Sequence, residues 1–462
     1  MKKLLFLIGS LLLAGSLFAQ SDDDLFGDDL FDDNLFDDAG IVDVPDVTAK
    51  SDLSKGVIFE NGSVKVGGSL DASVSTNTVL YSPDNKSLGD NIYATKLTPK
   101  LSALLSVDAR PSETLRIYTK FGFAYPFNEK VTTILQRTPG TGTVTGASSS
   151  ITEWFKLKEL FTDFSIKDTA FFRFGIHTVT WGAGYFFSPV SDMINTSSID
   201  PEHPEKQVDG ALNLRTQIVI PNSQNCLWFY VIPSTNFQNQ TAESYARETA
   251  LAGKADILIG NWEFGIGAFY KYQNAPKAML TATGSLKKIS FFGEFVYSYG
   301  AASEWTAKKD DWSDKTSIIQ ATLGFSYYWK EPMITLAAQY YYNGNDKDMP
   351  FNYAIAGHNI AAMASFGKVF GTKNVTASIF AMANFGRKDL SAAYRTVLLG
   401  MGTTNEQIDA MTGTSLTVNG MLYYSPITQL KVGMGPVLTF KTFEQNPTVS
   451  LKLSATLGGG KF

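Results

Sequence analysis

The sequence predicts an all-β protein, a transmembrane antiparallel up-and-down β-barrel of about 18 strands (16–18). Apolar and polar residues alternate with a period of two over about eighteen segments of roughly ten residues. The gaps between these segments are mostly alternately short and long. Only 18% of the residues are charged while 13% are aromatic, which is unusual for a cytosolic enzyme. No apolar stretch after residue 20 approaches the roughly 20 residues of a spanning helix, so a multi-helix membrane protein is excluded.

Residues 1–20 have the pattern of a secretory signal peptide. Lys2 and Lys3 provide the positive charge, Leu4 to Leu13 form a short apolar core, and small residues follow up to Ala19. An uncleaved anchor helix is disfavoured because the apolar run is short. We therefore expect an exported protein.

Residues 21–62 form an acidic leader. Eleven Asp and no basic residue lie between Ser21 and Asp46, and a Leu-Phe pair recurs three times with a period of five. That spacing fits neither a helical face nor a strand face, so we expect a disordered periplasmic tether. A docking peptide for a basic periplasmic partner and a plug in the barrel mouth are the alternatives. The chain outside residues 1–46 holds 37 basic and 33 acidic residues, a net charge of about +4.

The barrel is predicted to occupy residues 63–462. In its first segment Val64, Val66 and Leu70 alternate with Lys65 and Asp71. The predicted strands are 63–75, 97–109, 114–127, 154–166, 170–181, 211–220, 226–233, 249–259, 262–272, 278–286, 289–299, 318–329, 333–343, 358–370, 375–384, 416–425, 428–440 and 448–458. We expect short periplasmic turns, long extracellular loops and both termini at the short-turn end.

The ends of the apolar faces disfavour a soluble β-sandwich or propeller, whose outer faces would be charged. They carry aromatic residues, as an interfacial girdle requires: Trp181, Trp262, Tyr270, Tyr299, Trp329, Tyr342 and Tyr424.

The last strand ends in Phe462, a terminal aromatic of the kind that the barrel-assembly machinery recognises. The apolar residues Val449 to Leu457 occupy odd positions, whereas Phe462 is even. Either a bulge at Gly458 to Gly460 brings the two onto one face, or the signal is only partial.

The fourth to seventh strands contain a group of motifs within about 75 residues. They are Glu159-Leu-Phe-Thr-Asp163, Arg173-Phe-Gly175, Trp181-Gly182, Phe186-Phe187, Asp192-Met-Ile-Asn195 and Asp200-Pro201, followed by Arg215 and Pro233. This stretch resembles porin-type bacterial outer-membrane proteins. The resemblance implies a diffusion channel or substrate-selective porin in which the long loop dips toward the lumen. The candidate constriction-loop residues are Trp181, Phe187, Asp192, Asn195 and Asp200.

The period-two pattern also assigns side chains to the lumen. With Phe172, Phe174 and Ile176 toward lipid, Arg173 and His177 point inward, and the same reasoning applies to the other strands. The predicted pore-lining residues are Arg116, Lys120, Glu159, Asp163, Arg173, His177 and Arg215. A salt-bridge ladder that braces the wall and an element of ion or solute selectivity are both open interpretations. With a positive body charge, we expect a mild anion preference.

An enzyme is not expected. The chain has three histidines, one cysteine and no Gly-x-Ser-x-Gly motif, and we expect no catalytic residues, metal or cofactor. The predicted function is passive diffusion of small hydrophilic solutes through the cell outer membrane. A surface adhesin or structural barrel and an uptake barrel for hydrophobic substrates are the alternatives. Expected partners are outer-membrane lipid, the barrel-assembly machinery and small solutes or ions, with no nucleic acid. A periplasmic partner of the leader and a homo-oligomer are further partners that the sequence allows.

Overall fold

The computed structural model describes residues 57–461 with short gaps. The gaps are 84–87, 89–90, 93–94, 138–143, 168, 205, 236–240, 347–355, 387–391, 401–404, 406–407, 409–412 and 442–445. The predicted signal peptide (1–20), the acidic leader up to residue 56 and the predicted assembly signal Phe462 lie outside the described residues.

Nineteen strands and three α-helices are present in the described part of the chain. The strands are β1 Val57–Asn61, β2 Val64–Tyr81, β3 Leu97–Ser112, β4 Leu115–Arg137, β5 Val144–Ile166, β6 Ala170–His177, β7 Ala211–Val219, β8 Cys226–Ile232, β9 Ala250–Ile259, β10 Trp262–Lys271, β11 Lys277–Leu286, β12 Ile289–Tyr299, β13 Ser317–Trp329, β14 Ile334–Asn343, β15 Gly357–Phe366, β16 Val375–Phe385, β17 Ser415–Ile427, β18 Leu430–Phe440 and β19 Thr448–Lys461. The helices are α1 Ala242–Glu248, α2 Ala302–Ala307 and α3 Ala392–Gly400. None of the described helices is long and apolar enough to cross a membrane.

Strands β2 to β19 form a closed ring of 18 antiparallel strands. Each pairs with its sequence neighbours, and β19 pairs with β2 to close the ring. Closure pairs each strand with a neighbour on both sides over the length that the strands share, which a wall facing lipid requires. The predicted fold class and strand number are confirmed.

Strand β1 corrects the predicted leader, which was expected to extend to residue 62. Strand β19 ends with Lys461 opposite Ser69 of β2, so the first residues of β2 extend past it. Val57–Asn61 pair with residues 64–67 of β2 on that exposed edge. An unpaired edge attracts a strand, which is the physical reason why this segment joins the sheet.

The two faces of the wall have opposite polarity. Large apolar side chains such as Ile266 and Leu323 are 58% and 65% exposed on the outer face. Polar side chains such as Asn213 and Gln339 are buried on the inner face. This inversion of the soluble pattern is typical of a barrel whose outside contacts hydrocarbon.

The connections at the two ends of the barrel differ in length. At the short-turn end they hold between two and eight residues, as between β9 and β10. At the other end they hold between five and 33, the longest joining β6 to β7. Strands β4 and β5, with 23 residues each, extend their hairpin beyond the shorter neighbouring strands.

Trp181 corrects the predicted aromatic girdle and the predicted strand 170–181. Strand β6 ends at His177, because the Thr178 hydroxyl then donates a hydrogen bond to the Val208 carbonyl and the chain leaves the wall. Trp181 is 3% exposed and packs against Tyr230 inside the barrel.

At the other end of the chain, the register of β19 shifts between Gly458 and Gly460, so the predicted bulge is present.

Candidate functional site

The connection between β6 and β7, residues 178–210, crosses the inside of the barrel and is called the crossing loop here. Its aromatic tip, Tyr185 to Phe187, packs against β14 to β17. The ring of Phe186 lies 6.1 Å from that of Phe380 on β16, and Phe187 stacks on Tyr341 of β14 at 5.1 Å. In a ring of 18 strands β15 lies opposite β6, so the loop reaches the far wall.

Gln339 of β14 holds the tip of the crossing loop. Its Oε1 accepts hydrogen bonds from the backbone N–H groups of Tyr185, Phe186 and Phe187 at 3.1, 2.6 and 3.2 Å. Its Nε2 donates to the Phe187 carbonyl oxygen at 2.7 Å. One buried amide therefore satisfies four backbone groups that would otherwise be unpaired at the end of the loop.

Glu294 of β12 holds the middle of the loop. Its carboxylate accepts hydrogen bonds from Gly184 N at 2.6 Å, the Ser188 hydroxyl at 2.9 Å and Val190 N at 3.0 Å. The side chain is buried, and such donors are what a buried carboxylate needs in place of water. The geometry also requires glycine, because a Cβ at Gly184 would collide with the Phe187 carbonyl oxygen.

Lys254 and Asp256 of β9 support the start of the loop. Lys254 Nζ donates to the Trp181 carbonyl oxygen at 3.0 Å and pairs with Asp256 at 2.8 Å. Asp256 also accepts from the indole N–H of Trp228 at 2.6 Å. Both charges are buried, and each has a partner of opposite sign, which limits the cost of desolvation.

The end of the loop is held by the strands next to its origin. Asp209 accepts from Lys156 and Lys158 of β5, the latter at 3.2 Å, and Lys120 of β4 donates to Gln207 at 2.8 Å. Burial alone would raise the pKa of Asp209, but the two lysines outweigh burial and hold that pKa below its usual value.

The predicted constriction-loop residues all lie within the crossing loop. Asn195 clamps Val179, accepting from its N–H and donating to its carbonyl oxygen, both at 2.8 Å. Asp200 accepts from the backbone N–H of Glu202 at 3.1 Å. Trp181 and Phe187 pack into the two apolar clusters that fix the loop to the wall. These residues position the loop through contacts with the protein.

Asp192 is the unusual member of this set. Its carboxyl lies in the short 3-10 helix Ser191–Met193, and its Oδ1 has no hydrogen-bond partner in the described part of the chain. Burial raises the pKa of Asp192 to about 7; a hydrogen bond from Ser198 opposes the rise, Glu294 adds to it, and Lys277 opposes it. The carboxyl is therefore partly protonated at neutral pH.

Two predicted lumen arginines lie in a chain of ion pairs on the inner face. Arg173 forms two bonds with Asp163, at 2.6 and 2.9 Å. Arg116 does the same with Asp108, at 2.9 and 3.1 Å, and its third nitrogen lies 3.7 Å from Asp163. Arg110 also pairs with Asp108, at 3.2 Å. This geometry favours the salt-bridge ladder for Arg116 and Arg173.

The remaining predicted lumen residues have different surroundings. His177 is 1% exposed and contacts the ring of Phe161 edge-on, so it faces inward but is covered. The guanidinium of Arg215 lies over the ring of Trp228 at 5.5 Å. Glu159 is partly exposed beside the bulge that interrupts β5.

Gln339, Glu294 and Lys254 were not found from the sequence. Each is a polar residue at an inward position of a strand, between apolar residues that face outward. This pattern is the sequence feature from which they could have been found. Among the described residues there is no group of three or more His, Cys, Asp or Glu that could hold a metal ion.

No protein-family model and no curated protein matches this chain. Among solved structures the chain is similar to OccK3 (OpdO) of Pseudomonas aeruginosa, with 9% identity and a TM-score of 0.47, covering 85% of this chain and 95% of that one. It is also similar to OccAB4 of Acinetobacter baumannii, with 11% identity, a TM-score of 0.46 and coverage of 86% and 98%. OpdK of P. aeruginosa, solved with vanillate, gives 9% identity, a TM-score of 0.46 and coverage of 86% and 99%.

Proposed function

We propose that this protein is an outer-membrane channel for passive diffusion of small hydrophilic solutes, with the solute path beside the crossing loop. The observation that carries the proposal is the uneven filling of the lumen. Inner side chains of β8 to β17 are largely buried, many of them beneath the loop, as Trp228, Glu294 and Gln339 are. Inner side chains of β3 to β5, such as Ser102, Tyr118 and Lys156, keep partial exposure.

The path proposed along β3 to β5 is polar and charged. It passes Lys100, Asp108, Arg116, Lys120 and Asp163, which alternate with the outward apolar residues of the same strands. Polar walls suit hydrated solutes and disfavour a route for hydrophobic substrates. The residues proposed to line this path are therefore Arg116, Lys120, Glu159, Asp163 and Arg173.

Enzymatic activity is not part of the proposal. His177 and His203 are 1% and 2% exposed, and the Nδ1 atom of His358 lies 2.6 Å from the Tyr340 hydroxyl. A hydrolytic base has to reach a substrate within hydrogen-bond distance, which the buried rings of His177 and His203 do not do.

Single-channel recording of the purified protein in planar bilayers tests the proposal. We expect stepwise currents of constant size in potassium chloride. A properly folded protein, identified by its gel mobility, that inserts without conducting would contradict the channel and favour the adhesin or structural barrel.

A further inference from the structure

Lysines are concentrated in three consecutive turns at the short-turn end of the barrel. The turns β11–β12, β13–β14 and β15–β16 carry five of them against one acidic residue, Glu331. We call this group the basic arc: Lys287, Lys288, Lys330, Lys368 and Lys373. The other short turns together carry Lys167, Glu113 and Asp168. The positive charge is therefore gathered on one side of this rim.

The basic arc is available for contact. Four of its lysines are exposed and Lys368 is partly exposed. Within the described ranges, none of the five forms an ion pair. Between Lys368 and Lys373 the turn also presents Phe370, whose side chain is 86% exposed. The surface thus combines positive charge with an apolar contact.

The chain before Val57 has the complementary chemistry. Its eleven Asp between Ser21 and Asp46 are unaccompanied by any basic residue, and they flank three Leu-Phe pairs. Strand β1 pairs with the beginning of β2, so this part of the chain starts at the same end of the barrel as the basic arc. The leader's negative charge is thus complementary to the positive arc, and its Leu-Phe pairs offer an apolar partner for Phe370.

The distances allow contact within one molecule. An 18-strand ring with strands about 4.8 Å apart and tilted about 40° is roughly 36 Å across. The β13–β14 turn lies six strands from β2, a third of the ring, so the arc is about 30 Å from β1. Residues 47–56 alone span about 33 Å when extended, which brings Asp46 to the arc.

We propose that residues 21–46 bind the basic arc of their own barrel. Asp carboxylates pair with the lysines, and a Leu-Phe pair contacts Phe370. The contact is mainly between exposed charges, so it weakens as salt shortens the screening length from about 10 Å at 0.1 M to about 3 Å at 1 M. It does not depend on whether the barrel conducts solutes.

Carbodiimide cross-linking of the purified full chain in detergent tests this contact directly, because it joins carboxylates to amines that already touch. Trypsin releases the leader in one peptide, since the first basic residue after Lys3 is Lys50. We expect cross-links from this peptide to the lysines of the basic arc. Their yield should fall several-fold between 0.05 and 1 M salt.

Two variants make the test specific. The second readout is the protection of the leader's backbone amides from hydrogen exchange. Replacing all five lysines of the arc by Gln should reduce this protection to the level of the wild type in 1 M salt. The control replaces Lys308 and Lys309 by Gln, in the loop between β12 and β13 at the other end of the barrel, and should leave the protection unchanged. Cross-links to lumen lysines such as Lys100 or Lys120 would overturn the proposal in favour of a plug. A leader with no intramolecular cross-links at low salt would overturn it in favour of a tether for another protein.

Discussion

At the residue scale, the inner wall is organised by a few buried polar side chains whose partners are backbone groups. Glu294 accepts hydrogen bonds from the backbone N–H groups of Gly184 and Val190. Gln339 accepts from the three N–H groups of Tyr185 to Phe187. Parts of the crossing loop bond to other parts of the same loop, as Asn195 N does to the Ser191 carbonyl oxygen. The groups around its tip bond to the wall instead. The removal of one wall acceptor leaves several donors unsatisfied at once.

Glu294→Gln tests this arrangement. The substitution replaces one acceptor oxygen by an NH2 group that faces other donors. We therefore expect the free energy that holds the crossing loop against the wall to fall by about 1–3 kcal/mol. Channel currents should become noisier and larger, and the gel-mobility transition should occur at a lower temperature. Glu263→Gln is the matched control, since Glu263 faces inward on β10 and has no bond to the loop among the described residues. Equal effects of the two substitutions would contradict the anchoring role.

At the element scale, the crossing loop carries a titratable group in its short 3-10 helix. The pKa of Asp192 is raised to about 7, so the seated loop binds a proton that the released loop, with a pKa near 3.8, gives up. The binding of the crossing loop to the wall is therefore favoured at low pH. Its free energy weakens by about 1.4 kcal/mol per pH unit as the pH rises from about 4 to about 7, and it does not change further at higher pH.

Asp192→Asn should remove this dependence. We expect the mobility transition of the wild type to occur at a higher temperature at pH 5 than at pH 8, with a much smaller difference in the variant. The measurement uses identical samples heated in the two buffers. Glu113→Gln, in the exposed turn between β3 and β4, serves as control and should keep the wild-type difference. A wild type that is equally stable at both pH values would refute the role of Asp192.

The elements of the wall could be predicted from the sequence, while the contacts of the crossing loop could not. Period-two alternation locates strands such as β10, predicted as 262–272 and observed as Trp262–Lys271, because each side of the wall accepts only one kind of side chain. Phe187 and Tyr341 are 154 positions apart, and no local pattern encodes their stacking. The loop residues were found through a family resemblance, and the wall residues that hold them were missed.

At the scale of the whole molecule, closure of the ring decides how the protein responds to heat. All 18 strands bond to two neighbours over most of their shared length, so the barrel has no edge strand from which to unravel. We expect an unboiled sample to migrate differently from a boiled one in a denaturing gel, with circular dichroism dominated by β-structure. A helix-rich spectrum without a mobility shift would be incompatible with the closed ring.

The charge of the lumen sets the last expectation, a mild anion preference. The ladder formed by Arg110, Arg116 and Arg173 with Asp108 and Asp163 holds three guanidinium groups and two carboxylates, which leaves one net positive charge beside the path. A charge in a narrow polar passage concentrates counter-ions, and the effect is strongest at low salt. Reversal potentials across a potassium chloride gradient should therefore show chloride to be the more permeant ion.

Two substitutions that remove charges of opposite sign from the ladder test this expectation. Asp163→Asn removes a negative charge and should increase the chloride preference, whereas Arg173→Gln should decrease it. Both substitutions break the same ion pair, 2.6 Å long, so a purely structural role would shift selectivity in the same direction in the two variants. Movement in opposite directions would assign the ladder to selectivity as well as to bracing, and a cation-selective wild type would contradict the charge argument.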